Sequence, residues 1–232
     1  MTQGASPAMT KVHDKPSRLV VLISGGGSNL QSFIDASAKG NLNGKIVAVI
    51  SNKAGVKGLD RAAAADIPNI AVDHRAFDSR EAFDQNLGEL VESFSPDLVI
   101  LAGFMRILTP EFVNRFLGKL INIHPSLLPA YPGLHTHQRA IDAEDTEAGA
   151  TVHFVTPELD GGPSVLQAKV PIDAGESAES LAAKVLEYEH QIYPTAVQWF
   201  CDGRLDMENG MAMMDGKPLP ASGINFTQSI EQ

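Results

Sequence analysis

The stretch RLVVLISGGGSNL at residues 18–30 decides the fold. Its first six residues form a short apolar run, rich in β-branched side chains, which is typical of a buried strand, and three glycines then end it. Leu30, Phe33 and Ile34 recur with helical spacing up to residue 38. A strand, a glycine-rich turn and a helix in this order predict the first unit of an α/β fold.

The same alternation continues to residue 123. The predicted strands are residues 45–50, 69–72, 97–102 and 119–123, and the predicted helices are residues 58–65, residues 80–94 and a segment after Pro110. Strands that are apolar on both faces and alternate with helices predict a doubly wound, mostly parallel sheet. Ligands bind such sheets at the carboxyl ends of the strands, so we expect the loops at 24–29, 103–108 and 124–133 to form the site.

The later part of the chain has a different pattern. Residues 149–156 and 165–170 predict two strands joined by the turn-rich residues 157–163, an antiparallel addition to the sheet. A long helix follows, from Ser177 or Ala178 to about Phe200. We expect a disordered leader at residues 1–17, one domain at 18–205 and a peripheral tail at 206–232.

Composition and charge restrict the partners. The formal net charge of -10 argues against binding to nucleic acid or to an anionic membrane. The single cysteine, Cys201, excludes an intramolecular disulfide and fits a reducing compartment. The leader lacks the apolar run of a signal peptide, and no stretch approaches the roughly 20 apolar residues that cross a bilayer. We therefore expect a cytoplasmic protein, and both a monomer and a homodimer fit the sequence.

The turn Gly25–Gly26–Gly27–Ser28–Asn29 offers free backbone N–H groups at a helix start, which suit an anion. It is not a dinucleotide fingerprint, because Leu30 stands where the third glycine belongs and no acidic residue ends the second strand. The phosphate of a smaller substrate and a plain tight turn capped by Ser28 or Asn29 both fit this pattern.

The loop Gly103–Phe104–Met105–Arg106–Ile107–Leu108 is largely apolar. At the carboxyl end of a strand it could enclose a flat heteroaromatic ring, with backbone groups orienting the ring. Read alone, it also fits an apolar connection packed on the core.

Asn122 and His124 interrupt an otherwise apolar strand. Residues two apart in a strand point to the same face, so an amide and an imidazole lie side by side at the strand's end. Such a pair can donate hydrogen bonds to a developing oxyanion. A pair of satisfied polar groups in the core is the alternative.

A cluster of histidines raises the question of a metal site. His124, His135, His137 and His153 lie within thirty residues. However, His135 and His137 fall at a predicted helix start, where residues two apart do not face together, so we expect no metal. Asp160, in the segment LDGGP, is by itself a common turn residue.

Taken in order, several segments resemble the phosphoribosylglycinamide formyltransferases. They are VLISGGGSNLQ (21–31), SNKAGVKGL (51–59), AFDSREAFD (76–84), LAGFMRIL (101–108), INIHPSLLPAYPGLHTH (121–137) and VHFVTPELDGGP (152–163). The resemblance runs from about residue 18 to residue 205. It implies the formyltransferase fold, with an antiparallel C-terminal addition and a long C-terminal helix.

The resemblance also implies roles for individual residues. Asn122, His124 and Asp160 match the family's catalytic positions. Gly27, Ser28 and Asn29 match the turn that holds the substrate phosphate, and Glu189 matches an acid that contacts the glycinamide part. The positions that match the folate site are Arg80, Met105, Arg106, Ile107, Leu108 and Asn122. Gly26 departs from the family, which frequently has asparagine there.

The implied activity is transfer of the formyl group of 10-formyltetrahydrofolate, as co-substrate, to the amine of glycinamide ribonucleotide in purine biosynthesis, without a metal. Two alternatives lie within the same class: formyl transfer to another amine, and hydrolysis of 10-formyltetrahydrofolate. A non-catalytic protein that binds folates or phosphorylated sugars is a third. A binding protein of this kind would give Asn122, His124 and Asp160 no catalytic role.

Overall fold

The structure is a computed structural model that describes residues 15–227. Its strands are β1 (Ser17–Ile23), β2 (Gly44–Ser51), β3 (Asn69–Ala71), β4 (Leu98–Leu101), β5 (Leu120–His124), β6 (Glu147–Phe154), β7 (Ser164–Pro171), β8 (Leu205–Glu208), β9 (Met211–Met214), β10 (Lys217–Pro218) and β11 (Ile224–Asn225). Its α-helices are α1 (Ser28–Ala38), α2 (Lys57–Ala64), α3 (Arg80–Ser93), α4 (Pro110–Arg115), α5 (Thr136–Asp142) and α6 (Ala178–Cys201). Residues 1–14 of the expected leader lie outside the described residues, and β1 begins at Ser17.

The main sheet has eight strands in the order β11-β7-β6-β5-β4-β1-β2-β3. The five strands from β3 to β5 are parallel to one another. β6 pairs antiparallel with both β5 and β7. The expected fold class, a mostly parallel sheet with an antiparallel addition and a long C-terminal helix, is therefore confirmed.

Helices cover both faces of this sheet. Phe33 of α1 and Tyr193 of α6 are buried in the core on one face, and Phe83 of α3 and Phe112 of α4 in the core on the other. Both faces of the central strands are buried, and this explains their continuous apolar sequence.

Tyr193 also ties α6 to the functional edge of the sheet. Its hydroxyl is 2.9 Å from the carbonyl oxygen of Leu101 and 3.0 Å from that of Ile121. Complete burial raises the pKa of Tyr193 well above its ordinary value, so the hydroxyl stays protonated and can donate. The long helix is thus fixed next to the ends of β4 and β5.

Side chains at the helix starts explain where several helices begin. Ser79 accepts a hydrogen bond from the backbone N–H of Ala82 at the start of α3. Ser177 caps α6 in the same way, and Thr109 caps α4. The expected start of a helix near His135 is also found, with His135 at the N-cap of α5.

The segment after α6 forms a small second sheet and adds one strand to the main sheet. β8, β9 and β10 form a separate three-stranded antiparallel sheet, whose first strand contains residue 205, the expected domain end. β11 then joins the edge of the main sheet, parallel to β7. Within residues 15–227 no helix is long and apolar enough to cross a membrane.

Candidate active site

Loops from three strands meet at the carboxyl edge of the sheet. The Ser24 hydroxyl, just after β1, accepts a hydrogen bond of 2.8 Å from the backbone N–H of Met105 and donates one of 2.6 Å to Oδ1 of Asn52. The loops after β1, β4 and β2 are thereby connected. The meeting of the first two loops was predicted, but neither Ser24 nor Asn52 had a pattern that marked it as the link.

His124, the last residue of β5, is buried between two acceptors. Its Nε2 donates a hydrogen bond of 2.9 Å to the carbonyl oxygen of Tyr131. Its Nδ1 lies 3.5 Å from Oδ2 of Asp160. Because a carbonyl and a carboxylate only accept, a ring protonated on both nitrogens satisfies both contacts.

Asp160 reaches His124 from the turn between β6 and β7. Its own backbone is left-handed, with φ 51°, and its Oδ2 also accepts a 2.8 Å hydrogen bond from the N–H of Gly133. Gly162 allows the turn to pack against the end of β6, because a Cβ there would collide with the carbonyl of Phe154. The side chain that sequence alone marked only as a turn residue is therefore 9% exposed and faces an imidazole.

Asn122 pairs across the sheet with His153. Its Nδ2 is 3.3 Å from Nε2 of His153, while Nδ1 of His153 is 2.9 Å from the carbonyl oxygen of Phe154. Nδ1 must donate to that carbonyl, so Nε2 is left to accept from Asn122. Burial lowers the pKa of His153 to about 4, and the neutral ring therefore persists near neutral pH. Sequence reasoning missed this pairing because it depends on the register of β5 and β6.

The glycine turn has the form of an anion site. Gly27 has a left-handed backbone, with φ 69°, at the N-cap of α1, and Ser28 opens the helix. The first N–H groups of a helix have no intrahelical partner, so they remain available to a ligand. At Gly26 nothing lies within 4 Å of an added Cβ, so the backbone leaves open space on that side of the turn.

Asn29 and Glu189 form a buried pair beneath this turn. Nδ2 of Asn29 donates a 2.8 Å hydrogen bond to Oε2 of Glu189, and both side chains are largely buried. Burial raises the pKa of Glu189, and the hydrogen bond from Asn29 partly opposes that rise. Oδ1 of Asn29 is buried without a hydrogen-bond partner among the described residues. Glu189 therefore points inward from α6 and is only 8% exposed.

The loop after β4 is only partly packed on the core. Phe104 is buried and Leu108 is packed against the core, but Met105 is 67% exposed and Ile107 is 61% exposed. The simple core-connection interpretation fails for these two side chains, which are free to cover an aromatic ring. Arg80 opens α3, where its guanidinium lies 3.6 Å from the carboxylate of Glu81.

Arg106 folds back from this loop over Phe83, with the guanidinium carbon 4.9 Å from the ring centre. Its Nε is buried without a hydrogen-bond partner in the described part of the chain. Asp84 lies nearby and is buried, and its Oδ2 accepts a 2.6 Å hydrogen bond from the N–H of Thr109. Burial raises the pKa of Asp84, whereas Thr109 and the charges of Arg106 and Arg80 oppose the rise. The sequence did not single out Asp84.

The four clustered histidines have separate surroundings. His124 and His153 are buried in β5 and β6, whereas His135 and His137 lie at the start of α5. Burial lowers the pKa of His137, and the nearby charge of His124 lowers it further. Between residues 15 and 227 no group of three or more His, Cys, Asp or Glu side chains is arranged to hold a metal ion.

Comparison with known proteins finds relatives over most of the chain. The family described as formyl transferase matches residues 17–197. The phosphoribosylglycinamide formyltransferase of Escherichia coli K12 is 54% identical over 205 residues, which cover 88% of this chain and 97% of the relative.

Solved structures of the same family have a similar fold. The chain is similar to a phosphoribosylglycinamide formyltransferase from Coxiella burnetii, with a TM-score of 0.88 and 48% identity, over 92% of this chain and 100% of the other. A glycinamide ribonucleotide transformylase from Symbiobacterium toebii gives a TM-score of 0.84 at 40% identity, over 90% and 99% of the two chains.

Proposed function

Because this chain belongs to the phosphoribosylglycinamide formyltransferases of the formyl transferase family, we propose that it transfers the formyl group of 10-formyltetrahydrofolate to the amine of glycinamide ribonucleotide in purine biosynthesis. His124 lies on the same strand as Asn122, and its Nδ1 is 3.5 Å from Oδ2 of Asp160. This arrangement of the three side chains supports the reaction most strongly.

The reaction forms one C–N bond and breaks another. The neutral amine attacks the formyl carbon and gives a tetrahedral centre with a negatively charged oxygen. The bond from that carbon to the folate nitrogen then breaks, and the proton lost by the amine ends on the folate nitrogen. No covalent bond to the protein is needed, so the protein's task is to hold the two substrates and stabilise the oxyanion.

Asn122 is suited to donate one of the hydrogen bonds to this oxyanion. Its amide carries two N–H bonds, and one is directed to the neutral ring of His153. The other is left for the substrate oxygen. Loss of one donor to an oxyanion typically costs about 3–4 kcal/mol of transition-state stabilisation.

His124 supplies the second donor. Its Nε2–H is bonded to the Tyr131 carbonyl in this structure. We infer that the formyl oxygen replaces that carbonyl as the acceptor when substrate binds. The segment that would shift contains left-handed residues at Tyr131, Gly133 and His135.

Asp160 acts on the other side of the ring. Its carboxylate lies 3.5 Å from Nδ1 and can orient the ring, so that the Nε2–H is directed at the oxyanion. The same carboxylate can relay the amine proton toward the folate nitrogen, directly or through a water molecule.

The surrounding loops are assigned to the two substrates. The turn at Gly27, Ser28 and Asn29 holds the phosphate of the acceptor, and Glu189 faces its glycinamide part. Five residues, with Asn122, line the folate site: Arg80, Met105, Arg106, Ile107 and Leu108. The exposure of Met105 and Ile107 and the free N–H groups at the start of α1 support these roles.

The test is an assay of the purified protein with 10-formyltetrahydrofolate, in which the folate product is followed with and without glycinamide ribonucleotide. We expect product only when the acceptor is present, with one formylated acceptor per folate released. Equal release without acceptor would instead show hydrolysis. Turnover that needs a different amine would place the protein elsewhere in the formyltransferase class.

We also propose that the protein works in the cytoplasm, as a monomer or homodimer, and binds neither nucleic acid nor membrane. The net charge of -10 and the single cysteine support this assignment. Burial raises the pKa of Cys201 to about 12, so its thiol stays protonated and unreactive.

A further inference from the structure

Two residues of α2 hold the back of the glycine turn. The backbone N–H of Gly58 donates a 3.0 Å hydrogen bond to the carbonyl oxygen of Gly25. One helical turn later, Nε of Arg61 donates a 2.8 Å hydrogen bond to the carbonyl oxygen of Gly26. Two consecutive carbonyls of the turn therefore point toward α2.

The direction of these carbonyls determines where the turn's N–H groups point. In a trans peptide the C=O and the following N–H lie in one plane and point in opposite directions. When the carbonyls of Gly25 and Gly26 face α2, the N–H groups of Gly26 and Gly27 face away from it. These two N–H groups therefore point in the same direction. Together with the free N–H groups of the first turn of α1, they form a set of successive donors of the kind that binds anions.

Arg61 is itself held in one orientation. Its Nη1 donates a 2.8 Å hydrogen bond to Oε1 of Gln31, and Nε2 of Gln31 donates another of 2.8 Å to Oδ1 of Asp35. The planar guanidinium thus bridges the turn and α1 through two fixed bonds. A lysine ammonium cannot reproduce this fork geometry.

Ser28 and Arg61 also line the same cavity, a groove of about 540 Å³ between α1 and α6. The guanidinium therefore stands beside the turn, in a chain whose net charge is -10.

We propose that Arg61 is a positioning residue for the acceptor phosphate: it orients the Gly26–Gly27 peptide so that the turn's N–H groups meet the anion. This proposal rests on the proposed function, which assigns the phosphate to this turn. Arg61 acts through the turn and not through direct contact with the phosphate.

The first test compares Arg61→Met with Arg61→Lys in steady-state kinetics. We expect both to raise KM for glycinamide ribonucleotide roughly 10- to 100-fold, because a charge-assisted hydrogen bond that orients several donors is lost. We expect kcat to change by less than about threefold and KM for the folate to stay the same, since neither reacting group contacts Arg61. Lys45→Met is the matched control: it removes one exposed positive charge at the start of β2, at the edge of the sheet opposite the site, and should behave as wild type.

A second measurement separates positioning from a general structural role. With the acceptor that lacks the phosphate, Arg61→Met should leave kcat/KM at the wild-type value. An equal loss with both acceptors would overturn the proposal, as would an unchanged KM for the phosphorylated one. If Arg61→Lys restored wild-type KM, the charge would act directly on the phosphate, and the positioning role would be excluded.

The proposal can also fail independently of the proposed function. Absence of turnover with glycinamide ribonucleotide in the wild-type protein would overturn the function alone. Calorimetric titration with ribose 5-phosphate would then test Arg61, and the Arg61→Met variant should bind it roughly tenfold or more weakly than wild type. Equal binding by the two proteins would overturn the positioning role.

Discussion

His124 sits between a carbonyl and a carboxylate, and this position gives the site its chemistry. The same-face arrangement of Asn122 and His124 follows from strand geometry and could be predicted from their spacing. Asp160 could not be placed by spacing, because the turn that carries it returns from the next strand. His153 could not be assigned as the partner of Asn122, because that requires the register of β5 with β6.

The charge of Asp160 can be removed with little change in shape. In Asp160→Asn the side chain can still accept the N–H of Gly133, but it no longer offers a negative charge to Nδ1 of His124. We expect kcat to fall about 100-fold or more, with KM for each substrate within about threefold of wild type. Glu158→Gln, which changes one charge in the same turn, is the control. Similar losses in kcat for the two variants would contradict this role.

His153 gives the protein a dependence of stability on pH. Its pKa is about 4 in the folded protein, below its ordinary value of 6.5, so between these pH values the unfolded chain holds a proton that the folded chain does not. The stabilisation is complete above pH 6.5 and is lost as the pH falls toward 4. At pH 5 the loss from this one group is about 2 kcal/mol.

Urea unfolding at pH 7 and pH 5 measures this effect. His153→Gln keeps a donor for Phe154 and an acceptor for Asn122 but cannot titrate, so its free energy of unfolding should fall less than that of wild type between the two pH values. Identical decreases would show that the His153 ring does not titrate in this way.

Among the elements, α2 shows where sequence reasoning ended. Its helical pattern could be recognised in the sequence. The contact of Gly58 and Arg61 with the glycine turn could not be predicted, because helical spacing does not indicate which loop a helix will pack against. The loop after β4 shows a similar limit. Its apolar composition fits a core connection as well as a ligand cover, and only the exposure of Met105 and Ile107 separates the two.

The close approach of α2 to the turn predicts a steric effect at Gly58. A Cβ there would meet the side chain of Ile23 and come within 2.9 Å of the Gly25 carbonyl oxygen. We expect Gly58→Ala to lower the free energy of unfolding by about 1–3 kcal/mol and to raise KM for the acceptor, because the turn must move.

The control for that prediction is another glycine within a helix. In Gly88→Ala the added methyl group meets only the flexible end of the Arg115 side chain, so its stability should stay within about 1 kcal/mol of wild type. Thermal unfolding of the two variants supplies the comparison. Equal stability of Gly58→Ala and wild type would contradict the close packing of α2 against the glycine turn.

For the molecule as a whole, the parallel sheet was predictable because its strands are apolar on both faces. The antiparallel addition was predictable because two strands follow each other closely. The order of the strands could not be predicted, and neither could the pairing of β11, in the C-terminal tail, with the main sheet. β11 has only two residues, too few for any pattern, and its place is set by pairing with the exposed edge of β7.

The central claim is that Asn122, His124 and Asp160 form a catalytic site for formyl transfer, and His124→Ala tests it most directly. Single-turnover transfer from 10-formyltetrahydrofolate to glycinamide ribonucleotide is measured beside the dissociation constant of the folate. The predicted result is a folate dissociation constant within about threefold of wild type and transfer at least about 100-fold slower, as expected for a lost oxyanion donor. Transfer at the wild-type rate with folate still bound would contradict the catalytic assignment.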